Sequence, residues 1–93
     1  MISDHMRQRA ESMVRKLSSR APFAVDAIVR FETDGPTRRV EITLHEARRR
    51  IVVGEGTSRN YGPALAAAAA KVAAQLAKEK RNPKGRKRGM VQT

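Results

Sequence analysis

Two short stretches carry residue types that could hold a phosphate group. The first is Gly54-Glu55-Gly56-Thr57-Ser58-Arg59, which leads through Asn60-Tyr61-Gly62-Pro63 into an alanine-rich run ending at Lys80. Glycine lets a chain turn without a Cβ penalty, so this stretch reads as a strand end turning into a helix. A helix N-terminus offers free N–H groups and a positive pole to an anion. Ser58 and Arg59 would add a hydroxyl and a guanidinium there. The second stretch is Gly35-Pro36-Thr37-Arg38, a turn signal with an arginine on it. The triplet Arg48-Arg49-Arg50 is a further cationic cluster, open to reading as a phosphate clamp or as a solvated loop. None of these is catalytic machinery. No Gly-Lys-Ser/Thr follows the glycines, so there is no Walker loop, and no parallel βαβ unit surrounds them to make a dinucleotide fingerprint. His5 and His45 stand alone, without the acidic neighbours of a metal site. Asp34, Glu46 and Glu55 fall in expected loops, and nothing pairs them for acid–base work. The expectation is a protein that is not an enzyme and uses no cofactor.

The charge balance says what such a surface would meet. Twenty Lys and Arg oppose nine Asp and Glu, for a net charge of +11 and a sequence pI near 11.5. A polyanionic partner follows, nucleic acid ahead of an anionic membrane. The aromatics are Phe23, Phe31 and Tyr61 alone, too few for a base-stacking platform. Recognition through backbone and groove shape, of a duplex or a folded RNA, is the expectation. Residues 78–93 hold seven cations and one carboxylate, with Lys80, Arg81, Lys84, Arg86, Lys87 and Arg88 set among Pro83, Gly85 and Gly89. So polar a segment lacks the apolar residues to fold alone. By counterion release it would add salt-sensitive, sequence-independent affinity. The absence of cysteine excludes disulfides and cysteine-ligated zinc and fits a reducing compartment. No apolar run approaches membrane-spanning length, and residues 1–20 lack the apolar core of a secretory signal. A cytoplasmic protein with no membrane partner is expected.

The elements that must position these residues follow from periodicity. Ser3 to Ser19 reads as a helix capped by Ser3 or Asp4. Ile2, Met6, Ala10, Met13, Val14 and Leu17 form its apolar face, with Arg7, Glu11 and Arg15 as a solvent row. Phe23 to Thr33 alternates, with Phe23, Val25, Ala27, Val29 and Phe31 expected inward. Thr37 to His45 alternates again, with Val40, Ile42 and Leu44 inward. Arg49 to Val53 is a third strand, with Ile51 and Val53 inward and Val52 outward. Leu65, Ala69, Val72 and Leu76 make one stripe on a second helix. The expected fold is α+β, in the order α-β-β-β-α: a three-stranded antiparallel sheet with two helices packed on one face. Residues 1–78 would form this domain and 79–93 a disordered basic tail.

This order and these motifs resemble the double-stranded-RNA-binding domain family over roughly residues 5–78. Gly35-Pro36 stands where that family has its minor-groove loop, Gly54 to Arg59 is similar to its Gly-x-Gly-x-Ser-Lys stretch, and Ala66 to Leu76 to its second helix. The resemblance implies RNA contacts by Arg7 and Glu11 at one minor groove, by Gly35, Pro36, Thr37 and Arg38 at the next, and by Ser58 and Arg59 at the phosphates between. The tail cations Lys80, Arg81, Lys84, Arg86, Lys87 and Arg88 would wrap the backbone. Where that family places two or three lysines at the start of the second helix, this chain has Arg59 alone. A second resemblance is to bacterial ribosome-hibernation factors. It is carried by Val40-Glu41-Ile42-Thr43-Leu44, Tyr61, the Lys71-Val72, Gln75-Leu76, Lys78 series and the basic tail. It implies a small-subunit ribosome partner and a further strand before the first helix, where this chain has Met1 and Ile2. A third reading is a protein-interaction adaptor docking through the sheet, with Ile28 and Val52 facing outward.

Overall fold

The computed structural model describes residues 2–21, 23–47 and 50–81, the last three of these by backbone alone. Helix α1 spans Asp4–Ser19. Ser3 caps it: the Met6 N–H donates to Ser3 Oγ at 3.1 Å, satisfying one of the first-turn donors. Ala10 and Leu17 are buried, with Met6 and Met13 packed beside them. Arg7, Glu11 and Arg15 point to solvent, as their spacing predicts.

Strands β1 (Ala24–Asp34), β2 (Thr37–Glu46) and β3 (Arg50–Ser58) form one antiparallel meander in the order β1-β2-β3. Asp34 pairs with Thr37 across a two-residue turn. Gly35 sits there at φ 61, which the first central position of a type II′ turn requires, and Pro36 supplies the negative φ that follows. On β2, Val40, Ile42 and Leu44 are fully buried as expected. Helix α2 spans Tyr61–Arg81 and lies across β3 and β2. Leu65, Ala69, Val72 and Leu76 are buried, as their stripe requires. Both helices share one core with Val40, Ile42, Leu44 and Val52, so they cover the same face of the sheet. Fully burying a Val, Leu or Ile contributes about 1.5–3 kcal/mol, and six such side chains centre this core.

Three expectations are corrected. In β1 the register slips between Ala24 and Asp26, a bulge that leaves Val25 as the extra residue. The alternation reverses there, so Ala24 packs inward while Phe23 and Val25 are exposed. In β3 the phase is opposite to that expected: Val52 is buried, and Ile51 and Val53 are exposed. The reason lies two residues on, where Gly54 and Gly56 share the inward face with Val52. They make no sharp turn; they are strand residues against which α2 packs. A Cβ on Gly54 would lie 2.5 Å from the Ala68 carbonyl oxygen, and one on Gly56 would strike the Ala64 carbonyl oxygen. Glycine in a strand here marks close approach of another backbone. On the helix side the backbone of Ala64, Ala68 and Val72 comes to the glycines, with the side chains of Ala67 and Val72 beside it. The third correction concerns the helix start: α2 begins at Tyr61, so Ser58 ends β3 rather than opening the helix.

Candidate nucleic-acid interface

Each helix runs back over the strand it joins through a short link, and β1 and β3 run parallel to each other. Both helix N-termini therefore lie at the end of the molecule that carries the Gly35-Pro36 turn. Tyr61 ties this end together. Its hydroxyl lies 2.9 Å from Thr33 Oγ1, and its ring meets Phe31 edge-on at a centroid separation of 5.3 Å. The Arg38 guanidinium stands over the same ring, 5.8 Å from its centroid, and Arg38 Nη1 donates to the Gly35 carbonyl at 3.4 Å. Ser58 pairs with Arg38 across β2 and β3, and Arg59 follows it. A Cβ placed on Gly62 would lie 3.2 Å from Arg9 Nη1, so Arg9 reaches the start of α2. The first turn of α2 contains no acidic residue to offset its positive pole.

The structure thus gathers Gly35, Pro36, Thr37, Arg38, Ser58 and Arg59 at one end, with Arg7 on the α1 turn nearest to them. Glu11 lies one turn further along α1, on the rim of a groove between that helix and β1. Lys80 and Arg81 are described by backbone only, at the opposite end of the molecule. Lys84, Arg86, Lys87 and Arg88 lie outside the described residues, as do Arg48 and Arg49 of the triplet. Arg50 Nε lies 3.7 Å from Glu46 Oε1.

Sequence reasoning did not single out Arg9, Lys16 or Arg20, which with Arg7 and Arg15 make α1 strongly cationic. Among the described residues none of these five joins an ion pair. Along α2, Ala66, Ala70, Ala74 and Ala77 make a solvent face without bulk. Lys71, Gln75 and Lys78 flank it on the β3 side, where Gln75 Nε2 donates to the Val53 carbonyl at 2.6 Å. An alanine strip bordered by cations on both sides allows close approach of a phosphate backbone. The clue in the sequence was the i, i+7 spacing of Arg9 with Lys16 and of Lys71 with Lys78.

The other face of the sheet is organised differently. Arg39 Nε and Nη1 donate to Glu55 and Glu32, each at 2.5 Å. Arg30 lies 3.8 Å from Glu41, and His45 Nδ1 lies 2.6 Å from Asp26 Oδ1. The Arg39 guanidinium holds the Glu55 carboxyl below its ordinary value, aided by the charge of Lys71. The two carboxylates in turn raise the pKa of Arg39. Among the described residues this face offers a polyanion no unpaired arginine. Its apolar row is Ile28 with Val53, on either side of Thr43.

Fold and charge together define a small α+β layer protein with one cationic helical face and one ion-paired sheet face. The chain belongs to the family described as sigma 54 modulation protein / S30EA ribosomal protein, whose sequence profile matches residues 1–84. No curated protein matches the chain significantly. The family is the second of the two resemblances, and it replaces the double-stranded-RNA-binding domain. The two folds share the order of these five elements, which is why short glycine motifs could be assigned to either. The family makes the chain ribosome-associated, and the expectation that it is not an enzyme is consistent with that family.

Proposed function

We propose that this chain is a ribosome-hibernation-type factor that lays its helical face on ribosomal RNA of the small subunit. Membership of a ribosomal family carries this reading. The distribution of charge supports it, since among the described residues the cations of α1 and the α2 flanks join no ion pair while the sheet face neutralises its own. Arg9 and Lys16 contact phosphates from one side of the alanine strip and Lys71 and Lys78 from the other, while Arg7 and Arg15 lie on the β1 side of α1. Arg38 and Arg59 reach RNA beyond the helix N-termini, with Gly35, Pro36, Thr37 and Ser58 allowing close backbone approach. The basic residues from Lys80 to Arg88 add the salt-sensitive part of the affinity. The action takes place in the cytoplasm and involves no catalysis.

Co-sedimentation tests this directly. The full chain should pellet with small ribosomal subunits at near-physiological salt, and should bind a free RNA duplex at least about tenfold more weakly, because a duplex offers only the non-specific electrostatic term. Equal affinity for subunits and duplex would leave a non-specific polycation. Absence of binding to subunits would end the proposal.

A further inference from the structure

The two edges of the sheet differ in how they are finished. Along β3, Gln75 satisfies the Val53 carbonyl and Lys71 stands close enough to Glu55 to lower its pKa, so α2 covers that edge. Strand β1 is the other edge, eleven residues long, with nothing described beside it. Every second residue of such a strand turns its N–H and C=O outward, a template for another strand. Beside it lies a groove of ≈ 360 Å³ floored by Ala27, Val29 and Phe31 and walled by Ile2, Val14 and the charged pair Arg7 and Glu11 of the α1 segment. Although the whole chain is strongly cationic, β1 is not: Asp26, Glu32 and Asp34 accompany a single Arg30.

We propose that β1 pairs antiparallel with β1 of a second copy, about a two-fold axis through Ile28, joining two sheets into one of six strands. The register follows from the side chains. Centring on Ile28 sets Asp26 of each copy opposite Arg30 of the other, two favourable cross-strand pairs, with Ile28 against Ile28 between them. Asp26 and Arg30 keep 64% and 62% of their side-chain surface exposed despite their own partners, so both can be shared. Centring on Val29 would oppose Asp26 to Glu32, and centring on Arg30 would oppose that residue to itself. A Phe31-centred register pairs Arg30 with Glu32, but it takes Glu32 from Arg39 and sets Ile28 against Asp34. On the inner side, the Ile28 register brings the two grooves together beneath adjacent α1 helices, shielding Val29 and Val14 from water. A contact between identical patches closes as a two-fold dimer and does not propagate.

Charge exchange tests the pairing, using the full chain in sedimentation equilibrium. The wild type should form a concentration-dependent dimer. Asp26→Arg alone and Arg30→Asp alone each turn two attractive pairs into two repulsive ones, and each should dimerise about tenfold more weakly or worse. Mixed in equal amounts they should form a heterodimer, because both cross pairs are then attractive. The chain has no cysteine of its own, so Ile28→Cys should give a disulfide-linked dimer on mild oxidation, with circular dichroism confirming that each variant is folded. A wild type monomeric at the highest soluble concentration would overturn the proposal. So would single variants that dimerise as well as wild type, a mixture that shows no rescue, or cross-linking through Phe31→Cys but not Ile28→Cys. Arg9, Lys16 and the α2 flank lie away from β1, so failure of ribosome binding and failure of the dimer are separate results.

Discussion

The helical layer and the open face of the sheet both carry arginine, and they use it in opposite ways. On the sheet, Arg39 bridges Glu32 and Glu55 and lies 3.7 Å from Glu41, so its charge is spent within the molecule. On α1, Arg7, Arg9, Arg15 and Lys16 have as acidic neighbours on the helix only Asp4 and Glu11, and pair with neither. Exposed charges cost little in isolation, so such a row is tolerated by the fold without being required by it. The lesson is that the net charge locates nothing by itself. What points to an interface is the set of cations left over after internal pairing.

The sharpest break in the comparison is a single step along β3, from the packed face to the open one. Gly56→Ala puts a methyl group into the backbone of α2 at Ala64. Overpacking of this kind costs about 1–3 kcal/mol, and backbone that cannot yield places this site at the upper end. For a domain of this size that is a fall of about 12 °C or more in Tm. Thr57→Ala, on the exposed side of the next residue, should stay within about 0.5 kcal/mol of wild type. Thermal melts of the two variants decide it; equal Tm values would mean that α2 does not sit on these glycines.

Binding should divide in the same way. Arg9→Glu combined with Lys16→Glu reverses two charges on the helical layer and should weaken small-subunit binding about tenfold or more at moderate salt. Arg30→Gln on the open face should leave it within about twofold, since that side is not expected to meet phosphate. Loss of binding in the second variant and not the first would transfer the interface to the sheet. A smaller effect is expected from removing residues 82–93, which takes away Lys84, Arg86, Lys87 and Arg88. Affinity should fall by a similar factor for every RNA, and the slope of log K against log salt should flatten by up to about 3. An unchanged slope would show that those cations do not touch the backbone.

Much of this arrangement was legible in the sequence, for reasons that also explain the misses. Helix α1 announced itself by Ser3 and by apolar spacing, and β2 by Val40, Ile42 and Leu44 alternating with polar residues. The turn at Gly35-Pro36 needed only the one residue type that takes φ near 61. The bulge at Val25 left no trace, because Phe23, Val25 and Ala27 continue an alternation that the backbone then interrupts. In β3 the run Ile51-Val52-Val53 fits either phase. The deciding residues were Gly54 and Gly56, whose missing side chains admit the α2 backbone at Ala64 and Ala68, and a glycine pair can be read as a turn as readily as a packing seam. The candidate interface was half legible. Gly35, Arg38, Ser58 and Arg59 do come together, but Arg9 and Lys16 had no motif to mark them, only their distance along one helix. The family was the harder matter, since a shared element order and short glycine motifs do not separate two RNA-binding folds.

The smallest expected effect probes the ion-paired face alone. Arg39 depresses the Glu55 pKa, chiefly through their hydrogen bond and secondly through charge. A carboxyl whose folded value lies below its unfolded one stabilises the fold above the unfolded pKa, and that contribution disappears as pH falls through the folded pKa. Glu55→Gln should therefore melt slightly below wild type at neutral pH, and the gap should close as the pH falls below the ordinary carboxylate range. Because the pair is exposed, salt should narrow the same gap at neutral pH. The Arg9→Glu/Lys16→Glu variant, which touches no ion pair, should instead follow the wild-type dependence in the acid range set by Glu55. If Glu55→Gln and wild type keep a constant separation across the whole range, Arg39 is held by Glu32 and Glu41 without Glu55. The sheet face would then have a carboxylate to spare, and the contrast with the helical layer would be one of sign rather than of pairing.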